Sequence, residues 1–206
     1  MAHIRKPLAA AAALNAAIFL GEAIAGARAN SASLLMDAVH NFSDQLALVC
    51  LFLAYVLPVR ASTPLQRAAN ALNGLGLIVL SAFVGWHALS SLLHPQPVVG
   101  SIAIAVGLFG VAGNALVARL LKPWAAHSAA IRLAYVHNLG DAYVSIAPVL
   151  GGALVVATSR PIFDSLAALG IGSWLIVTTI RALREISGEL IWPEDAVCPH
   201  AEHRSR

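Results

Sequence analysis

The chain has 206 residues, 59% of them apolar and 11% charged, with a formal net charge of +3; an ordinary soluble domain carries about 25% charged residues. At a mean hydropathy of +0.77, a water-soluble core-and-shell fold is excluded, and lipid-facing backbone must be satisfied within helices or a closed barrel. The apolar runs are long, Ala/Leu-rich and free of period-two alternation, which selects helices.

Six segments are long enough to cross about 30 Å of hydrocarbon at 1.5 Å per residue. They run from Leu8 to Ala27, Leu34 to Leu57, Ala71 to Leu93, Val98 to Leu121, Ala129 to Ala157 and Ile162 to Arg184. Turn chemistry marks each break: Asn30-Ser31, Pro58 through Pro64, His94-Pro95-Gln96-Pro97, Lys122-Pro123 and Ser159-Arg160-Pro161. The short loops imply antiparallel neighbours. The expected fold is an all-α integral membrane protein, a six-helix transmembrane bundle over residues 1–186 with a short polar tail at 187–206.

Lys and Arg accumulate on the cytoplasmic side of short loops. The two ends and the second and fourth loops hold eleven of the basic residues, and the opposite side holds only Arg28 and Arg160. Both termini are therefore expected in the cytoplasm, as an even number of spans requires. The first segment also has the layout of a cleaved export signal, with Arg5-Lys6 before an Ala-rich stretch and Ala27-Arg28-Ala29 after it. Glu22 fits that layout badly, and removing the segment would spoil the charge asymmetry. Cys50 and Cys198 are too few for a disulfide framework or a four-thiolate zinc cluster.

Half of the acidic residues, Glu22, Asp37, Asp44, Asp141 and Asp164, fall within or at the ends of these spans. An Asp at mid-bilayer costs about 2.5–3.5 kcal/mol on insertion scales. Two of them stand four residues after a histidine, in His40-Asn41-Phe42-Ser43-Asp44 of the second span and His137-Asn138-Leu139-Gly140-Asp141 of the fifth. Residues four apart share a helix face. Eight His and five Asp in 206 residues yield about 0.2 such spacings by chance, so a matched pair carries weight.

If the second and fifth helices face each other, two imidazole nitrogens and two carboxylate oxygens converge, a set that suits tetrahedral Zn(II). No thiolate lies in register to select Cu(I), and imidazoles are too soft for Ca(II) or Mg(II). Cd(II), Co(II), Ni(II) and Fe(II) remain compatible. Two aspartates, two neutral imidazoles and one divalent ion sum to zero charge. Emptied, the site brings like charges together in an apolar setting and favours proton uptake. The same residues can thus exchange metal for protons. Four protein ligands leave no open position for a catalytic water, so no enzymatic activity is expected. Alternatively, each His/Asp couple is hydrogen-bonded glue between helices.

These residues and their flanks resemble the cation diffusion facilitators, six-helix antiporters that move zinc and related ions out of the cytoplasm. Glu22-Ala23-Ile24-Ala25-Gly26, then Asn30 through Asp44, is similar to that family's first two helices, and His137 through Ser145 to its fifth. Asn114 in the fourth span and Asp164 at the start of the sixth are weaker matches. The resemblance implies a transport site of His40, Asp44, His137 and Asp141. Histidine at the first position goes with zinc preference in that family, so zinc is implied as transported substrate, without a prosthetic group. It further implies a multi-pass protein of a bacterial inner membrane and a homodimer. Lipid, divalent ions and protons are the other expected partners, and nucleic acid is not one. Family members usually end in a cytoplasmic metal-binding domain, whereas this tail resembles a subgroup lacking it. The basic phrase usual before the third helix is reduced to Leu65 through Asn70, and the loop before the fifth has only His127.

Other residues admit two readings. Asp37, three residues before His40, is an auxiliary candidate for proton relay or an outer metal shell, or it packs helices. Glu22 and Asn15 serve the ion path or an interhelical hydrogen bond. Asp164 follows Arg160 by four residues, the layout of an interfacial ion pair that also complements its own helix dipole. His87 and His94 lie at an outer interface, and Gly107, Gly110, Gly113, Gly151 and Gly152 suit close helix contact. Cys198, His200 and His203 in the tail are auxiliary metal candidates. Three rival functions remain: a haem-binding electron carrier, which predicts His/His pairs without aspartates; an intramembrane metallohydrolase, for which no His-Glu-x-x-His phrase exists; and a structural membrane subunit.

Overall fold

A computed structural model describes residues 2–56, 59–126 and 129–191. Among the described residues all regular secondary structure is helical, with no strand. Its helices are α1 (Ala2–Ala29), α2 (Ala32–Val56), α3 (Val59–Leu93), α4 (Gly100–Leu121), α5 (Ala129–Val144), α6 (Ile146–Thr158) and α7 (Ile162–Ile191), with one 3₁₀ turn at Lys122–Trp124. Five stretches are long and apolar enough to cross a membrane: Lys6–Ala29, Leu75–Leu93, Gly100–Trp124, Ala134–Thr158 and Ile162–Arg181. α2 is not among the five; its first half carries Asp37, His40, Asn41, Ser43, Asp44 and Gln45.

Two boundaries differ from expectation. Val59 through Pro64, expected within a loop, lie in the first two turns of α3, and Pro58 lies outside the described residues. The fifth segment is two helices broken at Ser145. Pro148 has no N–H to offer the Val144 carbonyl, and its ring crowds that oxygen, which parts the helix one turn upstream. Ser145 N still donates to Asp141 O at 2.9 Å, so the break does not loosen the turn that carries Asp141.

α2 packs against α1, α3 and α7, while α4 packs against α1, α5 and α6. Two apolar clusters hold these contacts. One joins Ala32 and Met36 of α2, Leu77, Val84 and Ala88 of α3, and Ala168, Ile171 and Leu175 of α7. The other joins Leu8, Ala11 and Ile18 of α1, Leu48 of α2, Val117 and Leu121 of α4, and Ile131 of α5. Along α2, the buried polar run from Asp37 to Asp44 separates Met36 in the first cluster from Leu48 in the second. Polar side chains thus sit between two apolar layers.

α4 and α6 touch backbone to backbone: a Cβ on Gly100 would stand 2.6 Å from Gly152 O, and one on Gly152 would stand 2.7 Å from Gly100 O. The end of the bundle at the α1–α2 turn is tied by polar contacts. Asn30 takes a left-handed φ of 51° and donates from Nδ2 to Pro97 O at 3.3 Å, and Val99 N donates to Ala29 O at 3.0 Å. Asp164, in the first turn of α7, does not turn to Arg160. It accepts from Ser31 Oγ at 2.6 Å, Ser33 Oγ at 2.5 Å, Ala32 N at 2.7 Å and Ser33 N at 3.3 Å. A carboxylate from another helix therefore caps α2, supplying the acceptor that its first-turn N–H groups lack.

Candidate metal centre

α2 carries His40 and Asp44 one turn apart on a face directed at α5, and α5 carries His137 and Asp141 with the same spacing. The closest contacts cross between helices. His40 Nε2 lies 2.9 Å from Asp141 Oδ1, and His137 Nε2 lies 2.6 Å from Asp44 Oδ1. The pairs within each helix are wider, 3.8 Å for His40–Asp44 and 3.9 Å for His137–Asp141. The two imidazole rings stand 5.8 Å apart, edge to face.

His40, Asp44 and Asp141 are buried and present ligand atoms that all lie within 4.8 Å of one another. His137 reaches both carboxylates but its side chain is 48% exposed. Tetrahedral zinc with N/O bonds near 2.0–2.1 Å separates its donors by about 3.3 Å, and the four contacts above lie to either side of that spacing. Three polar atoms are left without a hydrogen-bond partner at this site: His40 Nδ1, Asp44 Oδ2 and Asp141 Oδ2. Buried acceptors without donors cost about 1–3 kcal/mol each, so the cluster has donor atoms to spare for a ligand of opposite charge.

A second set of buried polar groups lies around it. Asn41 Nδ2 donates to Glu22 Oε2 at 2.7 Å, and Asn15 Nδ2 donates to Asn41 O at 2.9 Å. Asn114 Nδ2 reaches Asn41 Oδ1 and Ser145 Oγ, both at 3.3 Å. Glu22 and Asn15 are thus interhelical hydrogen-bonding groups, and Asn114 links α4 to both α2 and the α5–α6 break. Asp37 is fully buried and outside the four-residue cluster. His87 and His94 do not join it. Cys198, His200 and His203 lie outside the described residues.

Trp174 of α7, which nothing in the sequence singles out, stands edge-on to the His40 ring with centroids 6.1 Å apart. It closes one side of the imidazole against α7. A lone tryptophan among apolar neighbours has no spacing signal that would point to this role.

The chain matches the family model of the cation efflux transmembrane domain over residues 8–191. It is 26% identical over 200 residues to the zinc transporter ZitB of Pectobacterium atrosepticum, covering 90% of this chain and 61% of that protein. It is 25% identical over 192 residues to the zinc transporter ZitB of Escherichia coli, covering 86% and 60%. A cadmium, cobalt and zinc/H(+)-K(+) antiporter of Bacillus velezensis is 29% identical over 145 residues, covering 66% and 46%. The chain therefore spans about 60% of the length of the two zinc transporters.

Proposed function

The chain belongs to the cation efflux family, and from that premise we propose that it exports divalent metal, zinc first, in exchange for protons. His40, Asp44, His137 and Asp141 are the ligands in this reading, and zinc is cargo rather than a resident cofactor. The observation that carries it is the crossed pairing with unsatisfied carboxylate oxygens: Asp44 Oδ2 and Asp141 Oδ2 are buried without donors beside two imidazole nitrogens. A pair of hydrogen-bonded couples serving only as helix glue would spend its acceptors on donors, as buried polar groups ordinarily do.

The chemistry of exchange follows from the donor set. Zinc binds carboxylates and neutral imidazoles, and protons occupy the same lone pairs. A loaded site is neutral, with two negative charges against one divalent ion. An empty one is stabilised by protons held in the His–Asp contacts now seen across the helices. Half-exposed His137 is the ligand that meets an arriving ion, and the three buried donors complete its shell.

α2 is taken as the sixth span; its 25 residues reach about 37 Å at 1.5 Å per residue, enough for the bilayer core. Six spans with the basic residues inward place both termini in the cytoplasm of a bacterial inner membrane. Alternating access then carries zinc from the cytoplasmic face outward. A homodimer through transmembrane surfaces completes the proposal.

The test is zinc uptake into proteoliposomes under an imposed pH gradient. Wild type is expected to move zinc against the proton flow, and His40→Ala and Asp141→Ala to abolish it. Flux that ignores both the gradient and the substitutions would falsify the exchange reading.

A further inference from the structure

α2 and α5 carry the two halves of the four-residue cluster, yet each packs mainly on other helices: α2 on α1, α3 and α7, and α5 on α4. Apart from the His–Asp contacts, their spacing is therefore set through α4. Asn114 is the one buried polar side chain of α4, and its amide bridges the two. Nδ2 donates to Asn41 Oδ1 on α2 and to Ser145 Oγ just past the end of α5, both at 3.3 Å. Asn41 is the residue after His40, and Ser145 N donates to Asp141 O at 2.9 Å. The amide thus joins the turns that present His40 and Asp141, whose side chains meet at 2.9 Å.

Both ends of the bridge are held. Asn41 donates from Nδ2 to Glu22 Oε2 at 2.7 Å and accepts at its backbone O from Asn15 Nδ2 at 2.9 Å, so α1 fixes its amide with Oδ1 turned to Asn114. One turn before Asn114, a Cβ on Gly110 would collide with Glu22 Oε1 and stand 3.3 Å from Ser145 Oγ. The bare glycine leaves the space through which Ser145 reaches Asn114. The matched phrase on α5 behaves differently: Asn138, the residue after His137, donates to Ala134 O of its own helix at 2.9 Å, and His137 is half-exposed.

The bridge limits how far the donors part. Tetrahedral zinc wants its N/O donors about 3.3 Å apart, so His40 Nε2 and Asp141 Oδ1 must open from 2.9 Å by about 0.4 Å to admit it. An ion with longer bonds, such as Cd(II), needs a wider opening. N–H···O bonds ordinarily run about 2.7–3.2 Å, and both of Asn114's already stand at 3.3 Å. Further separation of α2 from α5 breaks one of them and leaves a buried N–H without an acceptor, which opposes the larger ion. The ligands have little freedom to adjust instead: His40 and Asp141 are buried, and the His40 ring stands edge-on to Trp174.

We infer that Asn114 is a positioning residue that sets metal specificity: by bracing α2 against α5 through Asn41 and Ser145, it holds the donor set to the size of zinc and disfavours the larger cadmium ion. The inference rests on the zinc reading above, and the experiment separates the two.

The experiment measures zinc and cadmium affinities by competition titration of nanodisc-reconstituted wild type, Asn114→Leu and Ser145→Ala. Leucine has nearly the shape of asparagine without its N–H groups, and alanine removes the acceptor on the α5 side. Wild type is expected to prefer zinc, and each variant to lose about tenfold or more of that preference. A merely structural role would weaken both metals alike, so an unchanged ratio in either folded variant overturns the inference. A wild type that binds zinc without preferring it to cadmium overturns it too. So does a ratio that shifts as much in Gly100→Ala, which strains α4 against α6 instead. If wild type binds no zinc, the transport reading and this one fall together. Should Asn114→Leu not fold, Ser145→Ala decides.

Discussion

His40 reaches past Asp44, its neighbour one turn along α2, to Asp141 on α5: the first separation is 3.8 Å and the second 2.9 Å. His137 does the reverse, contacting Asp44 at 2.6 Å and Asp141 at 3.9 Å. Each helix contributes one base and one acid, and each base takes the other helix's acid. The two helices are therefore coupled through the site, and a charge placed there acts on both.

This coupling makes the proposed ligands unequal to ordinary buried polar residues. Asp44→Asn keeps the shape but leaves a neutral amide, with an N–H donor where zinc needs an oxygen. Losing a group that merely supports a ligand costs about 10–100-fold in metal affinity. Asp44→Asn is expected to cost more than about 100-fold, with helix content unchanged by circular dichroism. Zinc titration of the purified variant checks it; near-native affinity would remove Asp44 from the ligand set.

Acid should weaken the proposed zinc binding, and the sign is fixed by the chemistry of the proposed ligands. Zinc takes ionised carboxylates and neutral imidazoles, so each proton bound to them opposes it. As pH falls, apparent affinity is expected to fall by about tenfold per pH unit for each proton displaced. Calorimetric titrations across a pH series in buffers of different ionisation enthalpy give both slope and proton count. A flat profile contradicts exchange on shared lone pairs.

Asp164 predicts a stability effect away from the proposed metal centre. Its carboxylate accepts from two hydroxyls and two backbone N–H groups of the α2 start. In Asp164→Asn an amide N–H would face those donors and the charge would be lost. Hydrogen bonds to charged groups are worth about 1.5–3 kcal/mol, and a destabilisation of that order is expected. Thermal unfolding in detergent measures it, with Arg160→Ala as the control expected to change little.

Glycine contacts offer an internal comparison. Gly100→Ala drives its Cβ into the Gly152 carbonyl, which is backbone and cannot swing aside; the cost should be about 1–3 kcal/mol. Gly85→Ala meets nothing within 4 Å and should be neutral or slightly stabilising in a helix interior. Thermal midpoints of the two variants, measured side by side, test the α4–α6 packing.

The sequence shows the elements that rest on local repetition. Apolar runs marked five of the crossing stretches, and the two His-x-x-x-Asp phrases placed both halves of the cluster on helix faces. Spacing along one helix cannot say which acid a histidine prefers, because that depends on how α2 and α5 approach. Asp164 shows the same boundary. Its local partner by spacing is Arg160, but the partners it takes are more than a hundred residues away in the chain. A buried N-terminal turn with unsatisfied N–H groups offers more donors than one solvated guanidinium. The break at Ser145 follows from Pro148, whose effect on the preceding turn was masked by the apolar run around it. Trp174 meets His40 only because α7 packs on α2, a tertiary fact with no local signal.

The most direct measurement is zinc X-ray absorption on zinc-loaded protein. The account predicts a four-coordinate ion with two imidazole nitrogens and two carboxylate oxygens near 2.0–2.1 Å and no sulfur shell near 2.3 Å. A thiolate shell, a single imidazole, or protein that retains no zinc at all would contradict it.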